Sequence, residues 1–341
     1  MPFDVHDFLS VPQRLRGSRW IARAIRAAIK LEFFTIPPYL TAMWSVKDDQ
    51  HPVVDQIRWI VRDEMSHLGQ MCNLARSLGF SVNFGTSIPA YPNKLPGNVN
   101  PFCLVALEPL SKCLVGRVFL EIEKPEFTPI APLALARTVP TIGAFYGALQ
   151  DALKRAKPTF KRRNQITYNE PSHGVVINPI LRVDDALNEI ERVKAEGEGT
   201  IASPVGEPVP AGPPGKGRVA HYYRFEEMLR GKRLVYKTGA WSYSGKAIPF
   251  PDSSGIFRMA KVPPSGYPGI ADDFNQLYTQ AVDLLQKVWQ TTSAAEADKA
   301  LQASIEIMSL QMADAARDLM DKPIASSGGL WNYGPSFQYG L

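Results

Sequence analysis

The feature that most constrains this chain is a glutamate placed where a helix needs a core residue. Over residues 53–78, Val54, Ile57, Val61, Glu64, Leu68, Met71, Ala75 and Leu78 alternate steps of three and four, the spacing of a buried helical seam. Glu64 lies in its middle, and His67, three residues on, projects from the same side one turn later. Gly79 then closes the helix. A second stripe, Ile21, Ile25, Ala28, Glu32, Thr35 and Tyr39, also contains a carboxylate. Just past it, Pro37 and Pro38 are expected to kink or loosen the helix.

Burying a lone carboxylate is costly unless it is paired, protonated or bound to a cation. Two-metal helical bundles meet that cost with inward-pointing glutamates from two helices and Glu-x-x-His from two others. Glu32, Glu64 and His67 fit the first half of such a set. Glutamate oxygens and a neutral imidazole suit non-haem iron, one ion or two, with manganese as the substitute. The competing reading is a buried ion pair, with Arg19, Arg23 or Arg58 turned inward. His221, ahead of Glu226 and Glu227, reads equally as a ligand or as a capping histidine. By composition alone Glu198, between two glycines, is a solvated turn residue, and His6, His51 and His173 carry no assignment.

The 341 residues, 45% hydrophobic and 21% charged, suit a folded chain with a substantial core. A net charge of +5 with no nucleic-acid motif points to a small acidic molecule rather than nucleic acid. Three cysteines without a CxxC pair, and an N-terminus without an apolar leader, predict a cytoplasmic protein with no membrane partner. The predicted architecture is all-α, one domain over 1–341. Its bundle helices fall at about 18–46, 53–78, 136–156, 268–292 and 295–321, with long irregular insertions at 80–130 and 157–265. The second insertion holds short helices at 184–196 and 221–231 and strand-like pieces, RLVYKTG and GIFRMAKV. The last two helices carry apolar stripes without carboxylates and are expected to be packing partners.

The segments LEFFTIPPYLTAMWSV, RDEMSHLGQMCNLARSLG, AYPNKLPG, FLEIEKPE, TIGAFY, GEGT, HYYRFEEM and GPSFQYGL, in this order, resemble the ferritin-like domain of the iminophenylpyruvate dimer synthase type. That domain also occurs in enzymes that couple tryptophan-derived imines in violacein and indolocarbazole biosynthesis. The resemblance implies a ferritin-like helical bundle, a metal site and a place in secondary metabolism. It adds Glu198, His221 and Glu227 to Glu32, Glu64 and His67 as metal ligands. Relatives carry TIGEFY where this chain has TIGAFY, so Ala144 stands at an expected third-helix ligand, and the small residues around it are expected to leave substrate space.

Three functions follow as expectations. The first is a metal-dependent, non-haem iron oxidoreductase, di-iron in kind by the resemblance, acting on a small amino-acid-derived or carboxylate substrate. The second is a metal-independent imine-coupling enzyme with Glu64 and His67 as base and acid. The third is a non-catalytic ferritin-like binding protein. Self-association into a homo-oligomer and a biosynthetic partner enzyme that supplies an unstable intermediate belong to the same expectation.

Overall fold

The computed structural model describes residues 5–99, 103–125, 141–170, 175–199, 203–205 and 218–340. After a short helix α1 (Val5–Ser10), two long helices form the centre, α2 (Ser18–Trp44) and α3 (Pro52–Ser77), packed against each other along most of their length. Helix α2 is buried nearly all round, which is why its sequence is apolar on several faces rather than on one. Helix α3 begins at Pro52, a residue suited to a first helical turn, with the His51 ring accepting from the Val53 amide.

The two prolines do not end α2. Pro37 and Pro38 lack amide protons and so leave the carbonyls of Phe33 and Phe34 without their usual helical donors. For Phe34 the replacement is the Tyr91 hydroxyl, which donates to it at 2.5 Å. A tertiary contact thus makes good a backbone bond that the sequence forbids.

The first insertion is less irregular than its composition suggests. It holds a two-residue ladder, β1 (Asn93–Lys94) with β2 (Leu104–Val105), and then a continuous helical segment. That segment runs through α4 (Lys112–Leu114), a π-helical turn (Val115–Phe119) and α5 (Leu120–Ile122). Helix α6 (Ile142–Ala156) occupies the end of the predicted 136–156 helix, and residues 136–140 lie outside the described part.

The second insertion contributes a hairpin, β3 (Tyr168–Glu170) with β4 (Val175–Ile177), and helices α7 (Val183–Glu198) and α8 (His221–Arg230). RLVYKTG forms β5 (Val235–Lys237), paired with β6 (Ala240–Ser242). GIFRMAKV makes only isolated bridges, at Ile256 and Met259. The chain closes with α9 (Asp272–Gln290), α10 (Ala294–Glu306), a second π-helical turn (Ile307–Gln311) and α11 (Met312–Asp321).

The architecture is therefore a mostly helical bundle with small antiparallel strand pairs. Helices α6, α7 and α8 pack on one side of the α2/α3 pair, and α9 and α11 touch that pair from elsewhere. No described helix is long and apolar enough to cross a membrane.

Candidate metal centre

Helices α2 and α3 bring Glu32, Glu64 and His67 together in the core, 6%, 3% and 2% exposed. His67 Nδ1 lies 3.6 Å from Glu32 Oε2 and 3.8 Å from Glu64 Oε1. From the start of α8, His221, wholly buried, places Nδ1 2.9 Å from Glu64 Oε1 and 3.6 Å from Glu123 Oε2. Two overlapping donor sets result, Glu32, Glu64 and His67, and Glu64, Glu123 and His221, with Glu64 in both.

Each histidine is held from behind. His67 Nε2 is 2.7 Å from Glu196 Oε2, and His221 Nε2 is 3.2 Å from Asp63 Oδ2. With the ring proton on Nε2 in both, the Nδ1 lone pairs face the carboxylates, the arrangement in which an outer carboxylate orients a metal-binding imidazole. Arginines neutralise the outer carboxylates. Arg192 donates to Glu196 at 2.9 Å, and Arg218 donates to Asp63 at 2.9 Å while its other nitrogen stands 3.8 Å from Glu196. No arginine pairs with Glu32 or Glu64 among the described residues. Arg58 instead bonds Asp55 and Asp49 at the surface, and Arg23 stacks on Phe8.

The inner carboxylates are tied by hydroxyls. Tyr146 donates to Glu32, Tyr39 donates to Glu123 at 2.5 Å, and Thr35 donates to Glu64 Oε2 at 2.6 Å. Burial, followed by the neighbouring Glu123, pushes the Glu64 carboxyl up to about 7. Burial alone would lower His67, but Glu196, Glu32 and Glu64 override it and raise the ring to about 10. Asp63 is held down at about 2, because His221, Arg218 and Arg224 outweigh its own burial. In the absence of a cation, this cluster retains protons where a divalent ion would displace them.

The residues fit such an ion on a direct observation. His221 Nδ1 is buried and, although 2.9 Å from Glu64, makes no hydrogen bond of good alignment. An orphaned ring nitrogen facing carboxylate oxygens is costly as it stands and is satisfied by a metal. Beside the cluster lies a cavity of about 30 Å³, bordered by Tyr146 and Ile122 and reaching Ile142, Lys194 and Glu198. That is room for a water or two rather than for an organic substrate.

Three residues are placed otherwise than their sequence reading. Glu227 lies six residues beyond His221, about 240° further round α8. There it accepts from Gln56 at 2.6 Å, the Leu234 amide at 2.6 Å and Arg233 at 3.0 Å, outside both donor sets. Glu198 is the last residue of α7 rather than a solvated turn, and its carboxylate accepts the Gly143 amide at 2.8 Å, capping the start of α6 from the cavity mouth. A Cβ on residue 143 would come within 2.6 Å of that carboxylate, so glycine is required for this approach.

Ala144, in turn, stands off the side of α6 that faces the cluster. The α6 face that reaches it carries Ile142 and Tyr146, and residue 144 is about 200° round the helix from Ile142. The third carboxylate is Glu123, which follows α5 in a segment predicted to be irregular. Asp63 and Glu196 are also missed: Asp63 sits one position off the α3 seam, and Glu196 lies on α7, whose sequence reads as polar. Gly147 and Ala148 do not line the cavity, and Tyr222, Tyr223 and Trp241 sit in a small separate apolar cluster. The basic run from Lys154 to Arg163 lies at the far end of α6 from the cluster.

A family model described as Ferritin-like matches residues 25–230. The crystal structure of a ferritin-like protein from Caulobacter vibrioides is similar at a TM-score of 0.59 and 20% identity, over 94% of this chain and 97% of that one. No curated protein matches.

Proposed function

The chain belongs to the ferritin-like family, and from that premise we propose that it is a metal-dependent oxidoreductase with a two-ion non-haem iron centre. One observation carries the reading: two histidines on different helices aim Nδ1 at the same carboxylate, while a buried carboxylate holds each Nε2. Glu32, Glu64 and His67 would hold one ion, and Glu64, Glu123 and His221 the other. Manganese suits the same donors.

Iron bound there supplies the capacity to activate dioxygen. The chain's own residues do the rest. Tyr146, Tyr39 and Thr35 each bond one oxygen of an inner carboxylate, which fixes how the remaining oxygens point. The apolar walls at Leu31, Ile122 and Val193 keep bulk water from the carboxylates, and the small cavity admits only molecules of about the size of dioxygen. A larger substrate meets the centre at the mouth between Ile142, Lys194 and Glu198, where a substrate carboxylate would compete with Glu191, 3.2 Å away, for the Lys194 ammonium. Together with the resemblance to imine-coupling enzymes of secondary metabolism, this favours a small amino-acid-derived carboxylate, handed over by a partner enzyme.

The test is elemental analysis after anaerobic loading with ferrous iron. About two ions per chain are expected in the wild type, and about one after Glu123→Ala or Glu32→Ala. A wild-type protein that takes up no metal overturns the reading and leaves Glu64 and His67 as acid and base groups.

A further inference from the structure

The α2/α3 pair has a second cavity on another face, and it is the larger by far. It measures about 480 Å³ and shares no lining residue with the cavity at the carboxylates. Its floor is Phe33, Ile36 and Leu40 of α2 and Val61, Met65 and Leu68 of α3, while α9, α10 and α11 form the opposite wall. A packed interior leaves few voids larger than a water, and this one is within the size range of small-molecule sites.

Three features mark it as a built site. Four methionines, Met43, Met65, Met308 and Met312, line it, and unbranched thioether side chains adapt to irregular apolar ligands. The π-helical turn Ile307–Gln311 falls on its wall through Met308 and Ser309, and such turns often occur at functional positions. Polar groups are gathered at one end, where Arg58, Arg62, Tyr168, Glu170 and Gln302 meet. Arg58 is engaged outward with Asp49 and Asp55. Arg62 is different: its guanidinium lies 5.7 Å from the Trp59 ring centre and makes no hydrogen bond or ion pair among the described residues. A half-buried guanidinium with five donors, at the polar end of an apolar chamber, is suited to a planar anion.

We infer that this cavity binds a monocarboxylate with a long or bulky apolar body, the body against Leu40, Met65 and Met312 and the carboxylate on Arg62. Glu170, at the same end, disfavours dianions and polyphosphates. The site is separate from the metal centre and does not depend on the function proposed for it.

Dodecanoate is the probe and dodecanol its neutral counterpart, titrated calorimetrically into the full-length protein. Dodecanoate is expected to bind with one ligand per chain and at least about ten-fold more tightly than dodecanol, the gain of one charge-assisted pair. Arg62→Gln should reduce that preference to near unity while leaving dodecanol binding unchanged. Ala281→Trp, on the α9 wall, should abolish binding of both. If that variant fails to fold by circular dichroism, Met65→Trp takes its place. The proposal is overturned if dodecanoate does not bind, if the alcohol binds as tightly as the acid, or if Arg62→Gln keeps the wild-type preference.

Discussion

Glu64 Oε1 stands 2.9 Å from His221 Nδ1, across the interface between α3 and α8, which are 157 residues apart along the chain at these two positions. The same oxygen is 3.8 Å from His67 Nδ1, so one carboxylate faces both imidazoles. This shared position makes Glu64 unequal to the other carboxylates.

Glu64→Ala should therefore remove both ions where Glu32→Ala or Glu123→Ala removes one. Elemental analysis after ferrous loading reads the difference directly. Equal residual metal in all three variants would show that Glu64 is not shared.

Arg218 is bonded to Asp63 and close to Glu196, the carboxylates behind the two histidines. Replacing it with methionine keeps an unbranched apolar side chain and removes the guanidinium that lies over Trp59, and with it the charge. Loss of a group that supports metal ligands typically costs about 10–100-fold in metal affinity, and a decrease of that order is expected here. Competition against a chelator measures it, and a decrease below about two-fold would deny Arg218 a positioning role.

In metal-free protein, His67 is raised to about 10 and Glu64 to about 7, against ordinary values of 6.5 and 4.5. Both shifts mean that the folded chain holds a proton more tightly than the unfolded one. Stability from these protons is full below the ordinary values and is lost as pH rises through about 7 and then about 10. Asp63, depressed to about 2, acts the other way, and its contribution is lost only as pH falls from 3.8 through about 2. Chelated protein should thus melt highest between about pH 4 and 6 and lower at pH 9. Ferrous or manganous ion should raise the melting temperature more at pH 8 than at pH 6, because binding releases these protons. A melting temperature of the chelated protein that does not fall between pH 6 and 9 would contradict the assignment.

Gly143→Ala forces the Glu198 carboxylate away from the α6 amide it caps. The expected cost is about 1 kcal/mol, the usual value of a lost helix cap, read by urea unfolding. In the Glu198→Ala background the same substitution should be nearly neutral, since the contact is already gone. Additive costs would show that Glu198 is not what limits residue 143.

The halves of the candidate centre differ in how they can be read. Glu32, Glu64 and His67 interrupt apolar stripes of period 3.6, a local signal that survives without any knowledge of neighbours. The two long helices and the C-terminal pair show in the same way. Glu123 does not, because the π-helical turn just before it breaks the regular period by which a seam is recognised. Its neighbour Glu121 is half-buried and pairs with Lys124, so nothing in the spacing LEIEKP says which of the two turns inward. Asp63 sits one position off the seam and Glu196 lies on a helix that reads as polar. Asp63 is met by His221 of α8 and by Arg218 shortly before it, and Glu196 by His67 of α3 and by Arg192 one turn back on its own helix, none of which the periodicity of either segment shows.

By itself, then, the sequence determined the long helices and the presence of buried carboxylates needing a cation or a partner, since periodicity and the cost of burying charge are properties of each segment. Which carboxylates share one centre, and that a tyrosine of α6 reaches it where residue 144 does not, was decided by tertiary structure alone. Packing sets the phase and approach of one helix against another, and that depends on every contact between them rather than on the residues of either.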